Sequence, residues 1–515
     1  MPLLRRPARL YWALFVSSGL GALAVFYLRV SSLLRCWHWE ITDGREGPGI
    51  YALWRVLHAH PLYEWPHRPP YSLTLYNFGF YYFYAGVLRL LGVNDEGLLL
   101  APRGLTLLAA ALGAALFARV AWLYAPPRGL AAKVALGALS FCVWFGTQFL
   151  SWWPLDIRPD LWALLLGLAG VALVLRGLAT ESRPTFLAAS LVFWCAWAMK
   201  QSAILSFLGS LTAVCLLRRN LRQVAALALP FAVLTALSLL FGGERYRFSI
   251  LVAPAISRYR FSLWLEVLSR ALPQNAWVFA FAPCVFLLDA RRGFAAAWRR
   301  RTLSEQALLV IGAVGVGLGI AGLGREGANK NYLFDGYVTS ALAGWITLVR
   351  LIETESPPRG ALLLGAGLLA PWSLFPFAQL AWPGHLGRIE LCTAAGVPDL
   401  ARAANAVSRL PRPLYADHDV FAQPWRSTGN RYPAVVLDGT WSGIAVREGL
   451  APRDFLDAWL AERHFASALV PEGVPQIETF RAHGATCSDF PNLVDGVKFV
   501  VCRLPYAGAA RDASP

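Results

Sequence analysis

Apolar residues fall along this chain in long stretches separated by short polar ones. The stretches 11–30, 105–124, 161–178, 224–241, 307–323 and 360–380 each run for 17 to 21 residues with almost no charge. At a rise of about 1.5 Å per residue, such a length crosses a hydrocarbon layer of about 30 Å. Lipid offers the backbone no hydrogen-bond partners, so each stretch is predicted to be a helix. With the shorter apolar segments 185–199, 202–217, 276–288 and 337–351 placed between them, the pattern predicts roughly eleven crossings. The first stretch has the basic start of a signal peptide, but its length and the crossings after it make it an uncleaved anchor.

Composition agrees with the pattern. Of 515 residues, 57% are hydrophobic and 15% charged, with a mean hydropathy of +0.47. Soluble domains carry about 25% charged residues. The net charge of +16 is not the footprint of a nucleic-acid binder, because the basic residues sit in short groups flanking apolar stretches. These groups are Arg5, Arg6 and Arg9; Arg218, Arg219 and Arg222; Arg291 and Arg292; and Arg299, Arg300 and Arg301. This is the positive-inside pattern of cytoplasmic loops, and the partners it implies are membrane lipids. The eight cysteines show no metal-ligand spacing. Cys142, Cys195, Cys215 and Cys284 lie in apolar stretches, whereas Cys487 and Cys502 can pair if their region is extracytoplasmic.

With the basic groups inside, the first outer loop spans 34–75, and the polar knot 156–160, the turn at Lys200 and the loop 324–336 share its side. The aromatic segment 76–91 then does not fit as a full crossing and is expected to be re-entrant or interfacial. Residues 1–382 form the membrane domain, and 383–515 form a second domain on the outer side. The latter mixes helix-like stretches (399–410 and 453–463) with short strand-like ones (434–437, 466–470 and 497–502), which predicts a small α/β fold.

The polar residues on the outer side carry the candidate chemistry. The first loop holds Glu40, Asp43 and Glu46 among glycines and proline, followed by His60-Pro-Leu-Tyr63 and Pro69-Pro70. A carboxylate poised just above a bilayer can act as a general base or ligate a divalent ion that bridges phosphate oxygens. His58, His60 and His67 are irregularly spaced around Pro61 and Pro66 and read as loop histidines. Next come Asp156-Ile-Arg158-Pro-Asp160-Leu161, Lys200-Gln201 and Gly324-Arg325 with Asn329-Lys-Asn331-Tyr332. Arg158, Lys200 and Arg325 are at the depth of a lipid phosphate, where arginine binds as a fork and lysine as a point charge. The alternatives are snorkelling to headgroups and pairing of Arg158 with Asp156 or Asp160.

In their order and common side, these motifs resemble the GT-C superfamily of membrane glycosyltransferases that use polyprenyl-phosphate sugars, including Rgt-like, aminoarabinose and mannosyl transferases. The resemblance covers roughly residues 1–380 and implies an α-helical polytopic membrane fold of GT-C type, with 11 to 12 transmembrane helices. It implies a polyprenyl-phosphate-linked sugar donor and a glycan, lipid or protein acceptor, with no nucleic acid. The catalytic acids would be Asp43 and Glu46, and the donor-phosphate residues Arg158, Lys200, Gln201 and Arg325. Asp156, Asp160, Asn329, Asn331 and Tyr332 would bind substrate, and a divalent cation (Mg or Mn) could assist. The family's first acid often stands in an adjacent acidic pair, whereas Glu40, Asp43 and Glu46 are spaced three apart, so the resemblance does not choose among them. The setting expected is a bacterial inner membrane with the terminal domain periplasmic. A secondary transporter or flippase is the rival class, but internal repeats and mid-span polar breaks are not evident.

Overall fold

In the computed structural model of the protein, the described residues are 5–35, 47–65, 74–146, 149–150, 152–291, 293–325, 330–353 and 359–381. In the terminal region they are 406, 409–411, 414–416, 434–436, 457, 460–461, 465–490 and 498–505. The apolar stretches become helices: α1 (Arg5–Arg35), α2 (Gly47–Leu57), α3 (Phe78–Leu90), α4 (Leu100–Tyr124), α5 (Leu130–Phe141), α6 (Asp160–Thr180), α7 (Arg183–Met199), α8 (Ile204–Arg218) and α9 (Leu221–Phe241). The short α10 (Gly243–Arg247) and α11 (Ala253–Ala255) lead into α12 (Phe261–Gln274), α13 (Ala276–Ala290), α14 (Phe294–Arg299), α15 (Leu303–Gly322), α16 (Phe334–Glu353) and α17 (Arg359–Ala381).

Seven of these helices are long and apolar enough to cross a membrane on those grounds alone, and α12 with α13 makes an eighth span bent by 75°. Three further helices take other forms: those of the predicted crossings 185–199 and 337–351, and α5, which none of the segments named above covers. α5 is short and continues as a π-helical turn over Cys142–Gly146. α7 has only 17 residues. α16 has 20 residues, almost all buried against protein. A helix surrounded by helices need not be apolar on every face, so α16 keeps Asp335, Thr339, Ser340 and Thr347 inside the bundle. α9 is the opposite case, with Leu229, Val233, Leu237 and Phe241 exposed on its outer face. α3 has 13 residues, too few to cross a layer of about 30 Å, in keeping with an interfacial segment 76–91.

Glycines set how closely these helices approach. A Cβ on Gly113 would lie 2.2 Å from the Trp144 ring, and one on Gly336 would lie 2.7 Å from the backbone N of Val316. Where α13, α15 and the end of α16 meet, Arg301 of the α14–α15 turn pairs with Asp289 at 2.8 Å, and Arg350 of α16 pairs with Glu305 at 3.0 Å. α13, α15 and α16 are thereby tied together by charges that neutralise one another.

In the terminal region the structure describes a five-stranded sheet in the order β2-β1-β3-β5-β4. Its strands are β1 (Leu414–Ala416), β2 (Ala434–Val436), β3 (Ser467–Pro471), β4 (Thr486–Asp489) and β5 (Phe499–Arg503), with helix α18 (Gln476–Ala482) between β3 and β4. β1, β2 and β3 are parallel, and β5 runs antiparallel to β3 and β4. Cys487 and Cys502 face each other across β4 and β5 and form a disulfide. Of the two expected helices, 399–410 is described only at 406 and 409–410, and 453–463 is helical at 457, 460 and 461.

Candidate active site

At one end of the bundle the start of α6, the end of α7 and the starts of α8 and α16 meet in a knot of buried charge. α6 begins at Asp160, just after Pro159, which cannot supply a backbone N–H. α7 ends at Met199, and Lys200 takes an extended conformation before a 3-10 turn over Gln201–Ala203 opens α8. These two breaks aim Asp160 and Lys200 at each other: Lys200 Nζ donates to Asp160 Oδ1. Asp160 is 4% exposed and Lys200 6%, so Lys200 is enclosed by protein and does not reach out to headgroups. Its Nζ also lies 5.4 Å from the centre of the Tyr76 ring.

Asn331, in the 3-10 turn Lys330–Leu333 before α16, donates from Nδ2 to the same Asp160 oxygen at 3.1 Å. The other oxygens of this pair, Asp160 Oδ2 and Asn331 Oδ1, are buried and have no hydrogen-bond partner among the described residues. Buried acceptor oxygens left without a partner are costly unless something else engages them.

Arg158 pairs with Asp156 at 2.7 Å, and both are buried. Of the two acids open to Arg158 on sequence grounds, Asp156 therefore takes the guanidinium, and Asp160 takes Lys200. Arg158 and Lys330 both approach the Trp153 ring, at 5.2 and 5.4 Å. A little deeper, Ser206 of α8 donates to Asp335 Oδ1 at the start of α16. A Cβ on Gly167 would lie 3.1 Å from the Ser206 oxygen and 3.2 Å from the Asp335 oxygen, so this glycine lets α6 close over the pair. Asp335 is within electrostatic reach of Lys200 and Asp160.

A collar links this knot to the first outer loop. Gln201 donates to the Leu75 carbonyl at 2.6 Å, and Asn77 donates to that of Trp197 at 2.5 Å. Tyr246 donates to Asn77 Oδ1 and Tyr63 to the Tyr76 carbonyl, both at 2.9 Å. Burial holds both phenols above the ordinary tyrosine range, so both stay neutral donors. Glu64 accepts from Arg55 at 3.0 Å and from Arg245 at 2.6 Å. A Cβ on Gly79 would lie 2.6 Å from the Ala198 carbonyl oxygen, so α3 is seated directly on the end of α7.

Asp156, Arg158, Asp160, Lys200 and Asn331 thus come together. Gln201 serves as a strut to the first loop. Tyr332 packs over Gly319 and Gly322 at the end of α15. Arg325 is exposed and donates to the Pro254 carbonyl at 3.3 Å, so it ties the loop after α15 to the segment before α12. Asp43, Glu46 and Asn329 lie outside the described residues. Lys330, Asp335 and Ser206 join the knot without having been singled out in sequence. Asp335 could have been, as an acid opening a long apolar helix, but nothing marks one buried serine among many. Among the described residues there is no group of three His, Cys, Asp or Glu side chains able to hold a metal.

The helical bundle, with a small sheet domain at its C-terminal end, has a fold also seen in solved proteins. It is similar to ArnT from Cupriavidus metallidurans in the apo state, with a TM-score of 0.53 at 13% identity, over 95% of this chain and 98% of that one. The ArnT structure bound to undecaprenyl phosphate matches with a TM-score of 0.53 at 12% identity, over 94% and 98%. The Archaeoglobus fulgidus oligosaccharyltransferase in its apo form matches with a TM-score of 0.52 at 12% identity, over 90% of this chain and 69% of that one. No protein-family model and no curated protein matches the sequence.

Proposed function

We propose that the protein is a glycosyltransferase that moves a sugar from a polyprenyl-phosphate donor to an acceptor at the extracytoplasmic face of a bacterial inner membrane. The observation that carries this reading is the buried knot at one end of the bundle, with its two unpartnered oxygens on Asp160 and Asn331. A membrane protein keeps so many ionisable groups at helix ends only where they serve a site. That ArnT, which shares the fold, has been seen with undecaprenyl phosphate bound supports a donor of this class.

In this reading Asp43, on the first outer loop with Glu46 nearby, takes the proton from the acceptor hydroxyl or amine. The freed electron pair attacks the anomeric carbon, and the bond from that carbon to the phosphate oxygen breaks. Polyprenyl phosphate leaves with the bonding electrons, and a single displacement inverts the centre. Arg158 and Lys200 face the phosphate, and Asp156 and Asp160 hold them in place before it arrives. Asp160 Oδ2 and Asn331 Oδ1 are hard oxygen ligands that would suit Mg or Mn, and such an ion would neutralise phosphate charge. Asn329 and Tyr332 frame the sugar side, and Arg325 steadies that loop.

The test is donor turnover by purified protein in detergent, offered polyprenyl-phosphate-linked hexoses and pentoses. Release of polyprenyl phosphate by wild type, and its loss in Asp43→Asn with folding intact, is the expected result. A folded wild type that releases nothing from any donor would overturn the reading.

A further inference from the structure

The sheet domain contains a feature that the membrane site does not use. A part-open cavity of about 230 Å³ lies at the edge of its core, lined by Leu460, Ala461, Phe465, His483, Leu504 and Pro505. Protein interiors leave few voids larger than a water molecule, and this one is many times that size. It is too small for a disaccharide and about right for one sugar ring.

A hydrogen-bonded pair stands beside it. His483 Nε2 and Asp457 Oδ1 are 2.9 Å apart, with His483 a quarter exposed and Asp457 half exposed, so solvent reaches both. The local sequence builds this arrangement. α18 ends at Ala482, and Gly484 takes the left-handed conformation (φ +82°) that closes a helix, while Ala485 donates back to the Phe480 carbonyl at 3.0 Å. That closure holds His483 at the helix end, beside the cavity. On the opposite wall Asp457, Leu460 and Ala461 are helical at i, i+3 and i+4, so a single helix face supplies both a carboxylate and an apolar wall. The third wall is the end of β5, where Leu504 donates to the Ala466 carbonyl at 3.0 Å. The Cys487–Cys502 disulfide pins that strand to β4.

Apolar walls with one aromatic ring, and a carboxylate–imidazole pair at the edge, suit a neutral hydroxylated ring. The ring's C–H faces would lie on Phe465 and Pro505, and its hydroxyls would bond to Asp457 and His483. We infer that this cavity is a binding site for a single sugar unit, which in the transferase reading above belongs to the acceptor glycan. The assignment of the sugar to the acceptor rests on that reading, whereas the binding itself does not.

The test is saturation-transfer NMR and titration on the full chain in detergent, with glucose, mannose, galactose and arabinose as probes. Wild type is compared with His483→Ala, which breaks the pair, and Ala461→Trp, which fills the cavity and leaves the pair in place. Expected is saturation of the ring protons of at least one sugar, with affinity at least tenfold weaker in both variants while melting stays unchanged. No binding of any sugar, or equal binding in all three proteins, overturns the inference even if donor turnover is intact. Sugar binding that responds to both variants in a protein without donor turnover upholds the site and removes only its link to an acceptor.

Discussion

At the scale of single residues, the pair Asp160–Lys200 sets both the stability and the chemistry of the knot, and double substitution can separate the two. Removing one partner leaves the other charge buried and uncompensated, which typically costs about 3–5 kcal/mol. Asp160→Asn is therefore expected to lower the melting temperature in detergent and to abolish donor turnover. Asp160→Asn combined with Lys200→Met removes both charges and is expected to recover most of the stability with no turnover. If the double variant regains turnover, the pair is structural and the site lies elsewhere. Asp335→Asn is expected to be milder in stability. Its amide oxygen still accepts from Ser206, so the loss should stay near the ~1 kcal/mol typical of one altered hydrogen bond. The polar types at 156, 158, 160 and 200 were legible because ionisable residues at the ends of apolar stretches are few and conspicuous. Who pairs with whom was not. Asp160 lies two residues from Arg158 and forty from Lys200, and only the break before α8 turns Lys200 toward it.

At the scale of elements, most helices could be read directly because a span needs a long apolar run, and few other structures do. The exceptions have a physical cause. α16 is enclosed by neighbours and can carry polar groups, so its hydropathy understates it. The bend between α12 and α13 follows Pro273, whose ring breaks the helical ladder, but its 75° angle is set by packing. Close approaches such as Gly336 on Val316 and Gly79 on Ala198 left no readable trace, because a glycine in an apolar helix is common in membranes. They lead to a paired prediction. Gly336→Ala places a Cβ against backbone, and overpacking of this kind typically costs about 1–3 kcal/mol. It should also displace the neighbouring Asp335 and reduce turnover. Gly317→Ala, on the adjacent helix α15, has nothing within 4 Å of its Cβ and is expected to keep wild-type melting and turnover. Equal behaviour of the two variants would show that the α15–α16 contact does not position the knot.

At the scale of the whole molecule, what matters is which side of the membrane each part faces. If the positive groups lie inside, the knot and the terminal domain are both expected on the outer side. The disulfide between β4 and β5 gives that expectation an independent check, because such bonds persist in oxidising compartments and are rare in the cytosol. An alkaline phosphatase domain fused after Pro515 is therefore expected to be active in cells, and Cys487 and Cys502 to be joined when the protein is recovered under thiol-blocking conditions. Closing a separation of 15 residues stabilises a fold by about 3 kcal/mol in the chain-entropy account. Cys487→Ser with Cys502→Ser should thus destabilise the sheet domain to protease while leaving the helical bundle intact, since the bond lies wholly within the sheet. Reduced thiols at both positions with an inactive fusion would put the domain in the cytoplasm. Two crossings, α16 and α17, lie between the knot and the terminal domain, so the knot would then face the cytoplasm as well, and transfer at the extracytoplasmic face would be ruled out.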